Sequence, residues 1–168
     1  MMNKTILAYA TRWGATKETA EVIADILRGK YNIEVDLVDI KDKKNKNLDI
    51  RPYDNVILGV SVAIFRWAKE GKKFLKKNRD ILPGKKFFVF VSSGGAGEAY
   101  EQNDLEKYER LQKKWIDDRL AKFKLHYTSC KAMGGRRTDQ NWDNRNWAVI
   151  RGWADEIGGI ITSTSTQV

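Results

Sequence analysis

The segment TRWGAT, residues 11–16, places two hydroxyls, an arginine and a glycine between the apolar run KTILAYA and a helix-forming stretch. Backbone N–H groups at a helix N-terminus lack intrahelical partners, and the helix dipole favours an anion there. The hydroxyls of Thr11 and Thr16 can donate two more hydrogen bonds, while Gly14 lets the chain curl closely round phosphate oxygens. The spacing predicts a phosphate-binding turn; the alternative is a simple capped turn in which Thr16 serves only its own helix.

This turn differs from two common nucleotide-binding motifs. It is neither the GxGxxG pattern of dinucleotide-binding proteins nor a Walker A loop. Dinucleotides and nucleoside triphosphates are therefore disfavoured as ligands.

Two later segments have residue types suited to holding a flat ligand. SVAIFRWAK, residues 61–69, could lay a planar ring against Phe65 or Trp67, although Trp67 could instead begin the buried face of a helix. SSGGAGEAY, residues 92–100, has three glycines that permit close approach of backbone to ligand, and Tyr100 offers another aromatic face.

The elements around these segments alternate between strand and helix. Hydrophobic patterning predicts strands at 4–10, 33–40, 55–62, 85–93 and 124–133, and helices at 16–28, 67–78, 104–123 and 144–157. Thr16 is the expected N-cap of the first helix, and Asn103 with Glu106 fits a capping box before the third. Such alternation predicts a parallel sheet with helices on both faces. Because ligands of these sheets bind beyond the carboxyl ends of the strands, the three segments should meet at one edge.

Length and composition are typical of a single globular domain. We expect one domain over residues 1–161 and a frayed tail over 162–168.

No apolar run approaches the ~20 residues needed to cross a bilayer, and the first residues lack the features of an export signal. Cys130 is the single cysteine and cannot form an internal disulfide, which favours a reducing cytoplasm.

The net charge of +9 suggests acidic partners. Its lysines are scattered through predicted helices and turns, so a solvated surface is the simpler explanation. We expect no specific nucleic-acid partner.

The sequence gives little support for a metal site or for catalysis by histidine. His126 is the single histidine and has no second ligand nearby, which disfavours a metal site or a histidine-based triad. A phosphoacceptor receiver domain shares the predicted architecture but needs acidic residues after the first and third strands. Tyr9, Ala10, Gly59 and Ser61 supply none. We therefore assign no catalytic residue and no metal ligand.

With these motifs in view, the sequence resembles the flavodoxins. TRWGAT resembles their phosphate loop, usually Thr/Ser-x-Thr-Gly-x-Thr, with Trp13 replacing the middle threonine. NVILGVSVAIFRW and SSGGAGEAY resemble the next strand and the two flavin loops. ATRWGAT and GGRRTDQNWDNRNW, residues 134–147, are similar to the branch that includes menaquinone-dependent protoporphyrinogen oxidases. The resemblance implies a flavodoxin-like three-layer α/β sandwich whose five-stranded parallel sheet has the order 2-1-3-4-5.

By the same resemblance the ligand is FMN, bound without a covalent link. The residues implied around its phosphate are Thr11, Arg12, Trp13, Gly14, Ala15 and Thr16. Those implied beside the isoalloxazine ring are Ser61, Val62, Ala63, Ile64, Phe65, Arg66, Ser93, Gly94, Gly95, Ala96, Gly97 and Glu98.

Two departures from the flavodoxin pattern bear on redox properties. Many flavodoxins have a glycine beside flavin N5, where a peptide flip stabilises the semiquinone, and residues 62–64 contain none. Classical flavodoxins are also acidic, whereas this chain is basic. We expect weak semiquinone stabilisation and a hydroquinone potential less negative than in acidic relatives.

Three functions remain open. The first, which we favour, is an FMN module that carries electrons between redox partners. The partners we expect are acidic proteins such as ferredoxin-like ones.

The second is an FMN-dependent oxidase of the protoporphyrinogen oxidase type that oxidises a tetrapyrrole precursor and reduces a quinone. Residues able to hold its flat, carboxylate-bearing substrate are Arg136, Arg137, Arg145, Arg151, Trp142 and Trp147. The oxidase relatives usually carry a longer insertion before the last helix than this chain has room for. The third is a non-redox anion-binding protein.

Overall fold

A central parallel sheet dominates the computed structural model, which describes residues 4–163. Its strands are β1 (Lys4–Ala10), β2 (Glu34–Asp39), β3 (Asn55–Ala63), β4 (Arg66–Trp67), β5 (Lys86–Ser92) and β6 (Ser129–Met133). Five run parallel in the order β2-β1-β3-β5-β6, and the short β4 folds back antiparallel on β3. The predicted fold class and strand order are confirmed. A separate antiparallel pair follows the sheet, formed by β7 (Arg136–Arg137) and β8 (Trp142–Asp143).

In the described part of the chain, residues 4–163, six α-helices cover the sheet. They are α1 (Ala15–Tyr31), α2 (Lys69–Lys77), α3 (Gly94–Glu101), α4 (Leu105–Gln112), α5 (Asp118–Ala121) and α6 (Trp147–Ser163). A π-helical turn at Lys113–Asp117 joins α4 to α5, and short 3-10 turns lie at Lys43–Asn45 and Leu82–Gly84. Within residues 4–163, no helix has the length and apolar character needed to span a membrane.

Alternate strand residues divide the core into two layers. Ile6 and Ala8 of β1 pack on the side covered by α2 and by the helices from α3 to α5, whereas Leu7 packs on the side of α1 and α6. The strands β3 and β5 are almost wholly buried, as expected for central parallel strands covered on both faces. The sheet is therefore a rigid base whose carboxyl edge positions the loops.

Several predicted boundaries are wrong in ways that matter near that edge. Thr16 lies inside α1, and Gly14 occupies the N-cap position with φ of 84°. Asp104, not Asn103, caps α4 by accepting a hydrogen bond from the Lys107 N–H. The predicted helix at 67–78 begins only at Lys69, because Trp67 is held in β4 by pairing with Val62.

Other differences concern the later elements. The glycine-rich segment after β5, predicted as a loop, forms α3, and the expected fifth strand begins at Ser129 rather than at 124. His126 is exposed in the segment before that strand. The last helix continues to Ser163, so the predicted tail begins within its final turn. The remainder of the tail, residues 164–168, lies outside the described residues.

Candidate functional site

A cavity of about 460 Å³ opens at the carboxyl edge of the sheet. The turns after β1, β3 and β5, the π-helical turn and the segment after β6 form its wall. The expected site residues that line it are Thr11, Trp13, Ala15, Thr16, Ser61, Val62, Ala63, Ile64, Phe65, Ser93, Gly94 and Gly95. The three segments selected from the sequence thus converge on one space.

The turn between β1 and α1 forms one end of the cavity. Gly14 adopts φ of 84°, a left-handed conformation that disfavours side chains, and its N–H donates to Thr11 Oγ1 at 2.9 Å. The first N–H groups of α1 have no side-chain cap. A helix start with unpaired N–H groups and a favourable dipole can receive an anion.

Thr16 has a different role from the one its hydroxyl suggests. Its Oγ1 donates to Ser92 Oγ at 3.0 Å in a fully buried contact, which ties α1 to the end of β5. The side chain is therefore occupied within the protein, whereas its backbone N–H lies in the first turn of α1.

Arg12 links two loops and does not line the cavity. Its Nη1 donates to the Ala63 carbonyl at 3.0 Å, and its Nη2 donates to the Trp67 carbonyl at 3.1 Å. The arginine thereby fixes the β3–β4 hairpin against the β1–α1 turn. The other expected site residues that do not line the cavity are Gly14, Arg66, Ala96, Gly97 and Glu98.

The β3–β4 hairpin forms a second wall. Ala63 pairs with Arg66, which leaves a two-residue turn in which Ile64 and Phe65 have φ of 52° and 58°. Both values are unusual for residues other than glycine, above all for a β-branched one. The side chains of Ile64 and Phe65 are 72% and 82% exposed. The hairpin thus presents strained apolar residues at the mouth of the cavity.

The hydroxyl of Ser61, at the base of this hairpin, is a buried polar group without a hydrogen-bond partner. Ser61 is 7% exposed and lines the cavity, yet its hydroxyl has no hydrogen-bond partner. Buried hydroxyls are normally satisfied, so this one suits a polar ligand atom.

The segment after β6 crosses the β1–α1 turn as a strap, which we define as residues 134–145. Arg136 donates from Nη1 to Glu18 Oε1 at 2.5 Å and from Nη2 to the Trp13 carbonyl at 3.0 Å, and its buried Nε has no partner. Arg145 bonds the other oxygen of Glu18 at 3.0 Å and also pairs with Asp143. The strap therefore brings guanidinium charge to the helix start.

These contacts also determine the charge state of Glu18. Its partial burial opposes ionisation, but hydrogen bonds from Arg145 and Arg136, together with their positive charges, lower its pKa below the ordinary value. The carboxylate therefore stays ionised and holds Arg136 and Arg145 of the strap.

Aromatic contacts complete the strap's packing. The Arg137 guanidinium lies 4.4 Å from the ring centroid of Trp13. Trp142 packs directly on Gly94 at the start of α3, where a Cβ atom would collide with the indole. Glycine at 94 is thus required for Trp142 to close this side of the cavity.

Sequence reasoning missed part of the wall. The unexpected lining residues are Ser92, Leu111, Lys114, Trp115, Gly135, Arg136, Arg137 and Trp142. The π-helical turn carries Lys114 and Trp115, and a continuous helical pattern gave no signal for it. The strap is rich in arginine and tryptophan, and this composition did indicate a functional segment. We interpreted these residues as binding a substrate, whereas the structure places several of them in the cavity wall.

Other reactive side chains offer little chemistry. Burial raises the pKa of the Cys130 thiol to about 11, so the thiolate nucleophile is scarce at neutral pH. Among residues 4–163, no three His, Cys, Asp or Glu side chains are grouped so as to hold a metal ion.

Fold and cavity together define a doubly wound α/β protein whose cavity lies where strand order reverses, the usual ligand position in such sheets, with a helix start facing it. A model of the flavodoxin domain family matches residues 6–130. The chain therefore belongs to the flavodoxin domain family. Among curated protein sequences, none matches the chain significantly.

Solved structures with the same architecture are similar over nearly the whole chain. A flavodoxin from the domain Archaea has a TM-score of 0.61 at 18% identity, covering 95% of this chain and 99% of that one. A short-chain flavodoxin associated with a non-canonical PDU bacterial microcompartment gives 0.60 at 17%, covering 96% and 99%. Oxidised flavodoxin 1 from Bacillus cereus gives 0.55 at 18%, covering 95% and 97%. At these identities the likeness establishes the fold.

Proposed function

We propose that this chain binds FMN without a covalent link and carries electrons between redox proteins. The observation that carries the proposal is the uncapped start of α1, which opens into a cavity walled by the β3–β4 hairpin and the strap. Membership of the flavodoxin domain family supports it. When bound, FMN supplies the capacity to accept and release one or two electrons.

The residues present fit each chemical part of FMN. The N–H groups of the β1–α1 turn suit the phosphate, and the orphaned Ser61 hydroxyl suits a polar edge or chain atom of the flavin. Phe65 and Trp142, on different walls of the cavity, suit the faces of a planar ring. The hairpin and the strap would together limit the access of water to the ring.

Arg136 adds a charge that the β1–α1 turn alone lacks. It lines the cavity, contacts the Trp13 carbonyl, and comes within 3.0 Å of where a Cβ on Gly14 would lie. Glu18 neutralises part of that charge before any ligand binds. We expect Arg136 to favour the phosphorylated flavin over riboflavin.

A substrate-oxidising role is less well supported. Two of the arginines suggested for holding a carboxylate-bearing tetrapyrrole are already engaged, Arg145 by Glu18 and Asp143 and Arg137 by Asp139. Arg151 lies on α6 and does not line the cavity. A protein-to-protein carrier needs no such substrate site, which favours the first function over the oxidase.

The proposal extends to partners and location. A net charge of +9 favours acidic redox proteins, and the single cysteine fits the reducing cytoplasm.

The test begins with the visible spectrum of freshly purified protein and identification of the flavin that heat releases. We expect FMN at one per chain, reversible photoreduction with EDTA as the electron donor and no added substrate, and no acceleration of tetrapyrrole-precursor oxidation beyond free FMN. Protein that stays colourless after incubation with FMN would support the non-redox alternative. Rapid oxidation of the tetrapyrrole precursor would support the oxidase.

A further inference from the structure

A basic groove runs between α2 and α5 on the outside of the protein. It encloses about 290 Å³, and we define it by its cations, Arg66, Lys69, Lys72, Arg119 and Lys122. Its apolar lining consists of Trp67, Leu75 and Phe123. No carboxylate from the part of the chain that the structure describes lines it.

The positive charge of the groove is not neutralised locally. Within residues 4–163, none of its five cations forms an ion pair. Glu70 of α2 lines a different pocket, and Asp118 of α5 pairs with Lys113 at 2.8 Å. By contrast, three arginines near the cavity, at 136, 137 and 145, are each matched by a carboxylate.

The groove adjoins the mouth of the flavin cavity. Arg66 follows Phe65 directly at the hairpin, and Lys114, which lines the cavity, lies 5.9 Å from the Phe65 ring centroid. Trp115 lies beneath Lys114 and Arg119, at 4.9 and 5.0 Å from its ring centroid. Cations thus extend from the cavity mouth into the groove, beside the exposed side chains of Ile64 and Phe65.

We propose that the basic groove and the exposed hairpin tip form the docking surface for a redox protein with an acidic face. This inference rests on the proposed function, because it places the partner where electrons must leave or enter the flavin. Exposed apolar residues bordered by charge match the apolar centre and polar rim of transient interfaces. Unpaired lysines and arginines steer an acidic partner toward the cavity mouth and raise the association rate. A nucleic acid would gain nothing from a surface centred on the flavin.

The test uses FMN-loaded protein and a photoreduced, acidic [2Fe–2S] ferredoxin as the probe. The groove variant is Lys72→Glu with Lys122→Glu, both exposed positions that line the groove, do not line the cavity and form no ion pair within residues 4–163. The matched control is Arg110→Glu with Arg151→Glu, exposed residues of α4 and α6 that line neither groove nor cavity. Each pair changes the net charge by the same amount.

Stopped-flow absorbance measures the second-order rate of flavin reduction at several salt concentrations. We expect the groove variant to react about tenfold or more slowly than wild type at low salt. The difference should shrink as salt shortens the screening length, and the control variant should lose much less. Reduction by a small uncharged deazaflavin radical should be the same in all three proteins, because the flavin site itself is unchanged.

Equal rates for the groove and control variants would overturn the proposal. It would also be overturned if the groove variant lost binding to a fluorescein-labelled DNA oligonucleotide while its rate with ferredoxin stayed normal, since the surface would then serve nucleic acid. Failure of the proposed function would look different, because the wild-type protein would take up no FMN.

Discussion

Arg136 and Glu18 are the residues that most directly set the charge at the start of α1. Arg136 contacts the turn through the Trp13 carbonyl and the helix through Glu18. Its buried Nε has no partner, so the guanidinium retains donor capacity for a ligand. Two predictions follow from this pair.

We predict that Arg136→Gln weakens FMN binding by roughly ten- to a hundredfold, since a charge-assisted hydrogen bond is worth roughly 1.5–3 kcal/mol. Riboflavin binding should change little, because riboflavin has no phosphate. Quenching of flavin fluorescence measures both dissociation constants, and Arg136→Lys should recover part of the FMN affinity. An equal loss for FMN and riboflavin would contradict a role at the phosphate.

We predict that Glu18→Gln lowers the free energy of unfolding at neutral pH and not in acid. The folded-state pKa of Glu18 is depressed, so its ion pairs stabilise the protein above the unfolded-state pKa of about 4.3 and this is lost as pH falls through the lower folded value. Urea unfolding of the flavin-free protein from about pH 3 to pH 7 measures the effect. Glu21→Gln, an exposed change on the same helix, is the control. A wild-type advantage that persists unchanged in acid would refute the linkage.

Among the elements, the β3–β4 hairpin holds the most unfavourable backbone. Ile64 and Phe65 occupy left-handed conformations that cost non-glycine residues roughly 1–2 kcal/mol each. Their exposed side chains gain no burial that would offset this cost. Such strain at a cavity mouth suggests that the side chains are kept for binding.

We predict that replacing Ile64 by Asn and Phe65 by Gly stabilises the flavin-free protein by about 1 kcal/mol, because Asn-Gly is the preferred pair for a two-residue turn with positive φ. The same change should weaken binding of FMN and riboflavin alike by removing an aromatic wall. Urea unfolding and fluorescence quenching provide the two measurements. A loss of stability would show that the turn is not strained.

The elements also show what sequence reasoning can and cannot reach. Hydrophobic periodicity is a local signal, and it located the five parallel strands and the turn at residues 11–16. The N-cap role predicted for Thr16 is wrong, because Gly14 occupies that position and the Thr16 hydroxyl bonds Ser92, a partner distant in sequence. The π-helical turn escaped for a similar reason, since the Trp115 carbonyl within it accepts a hydrogen bond from Trp67 Nε1 at 2.8 Å across the fold. Contacts between residues far apart in the chain do not produce a periodic pattern of hydrophobic residues in the sequence.

At the scale of the whole molecule, the basic surface should alter both partner choice and cofactor chemistry. Positive charge near a flavin favours the anionic reduced form, whereas an acidic surface disfavours it. Lys114 lines the cavity and is exposed, so its charge would act directly on a flavin bound there.

We predict that the hydroquinone potential is less negative than in acidic flavodoxins, and that Lys114→Glu lowers it by an amount on the order of tens of millivolts. An anaerobic spectroelectrochemical titration measures the potential. Lys107→Glu, in the first turn of α4 and away from the cavity, is the charge-matched control and should have a smaller effect. A hydroquinone potential as low as that of acidic flavodoxins would mean that the positive net charge does not affect the reduction of the flavin.

FMN binding as proposed requires an anion where β1 leads into α1 and a flavin ring between the hairpin and the strap. A crystal structure of the protein with FMN tests this most directly. We expect the phosphate within hydrogen-bonding distance of the backbone N–H groups of residues 11–16, and the ring beside Phe65 and Trp142. A phosphate found elsewhere, or a turn filled by a protein side chain with FMN present, would contradict it.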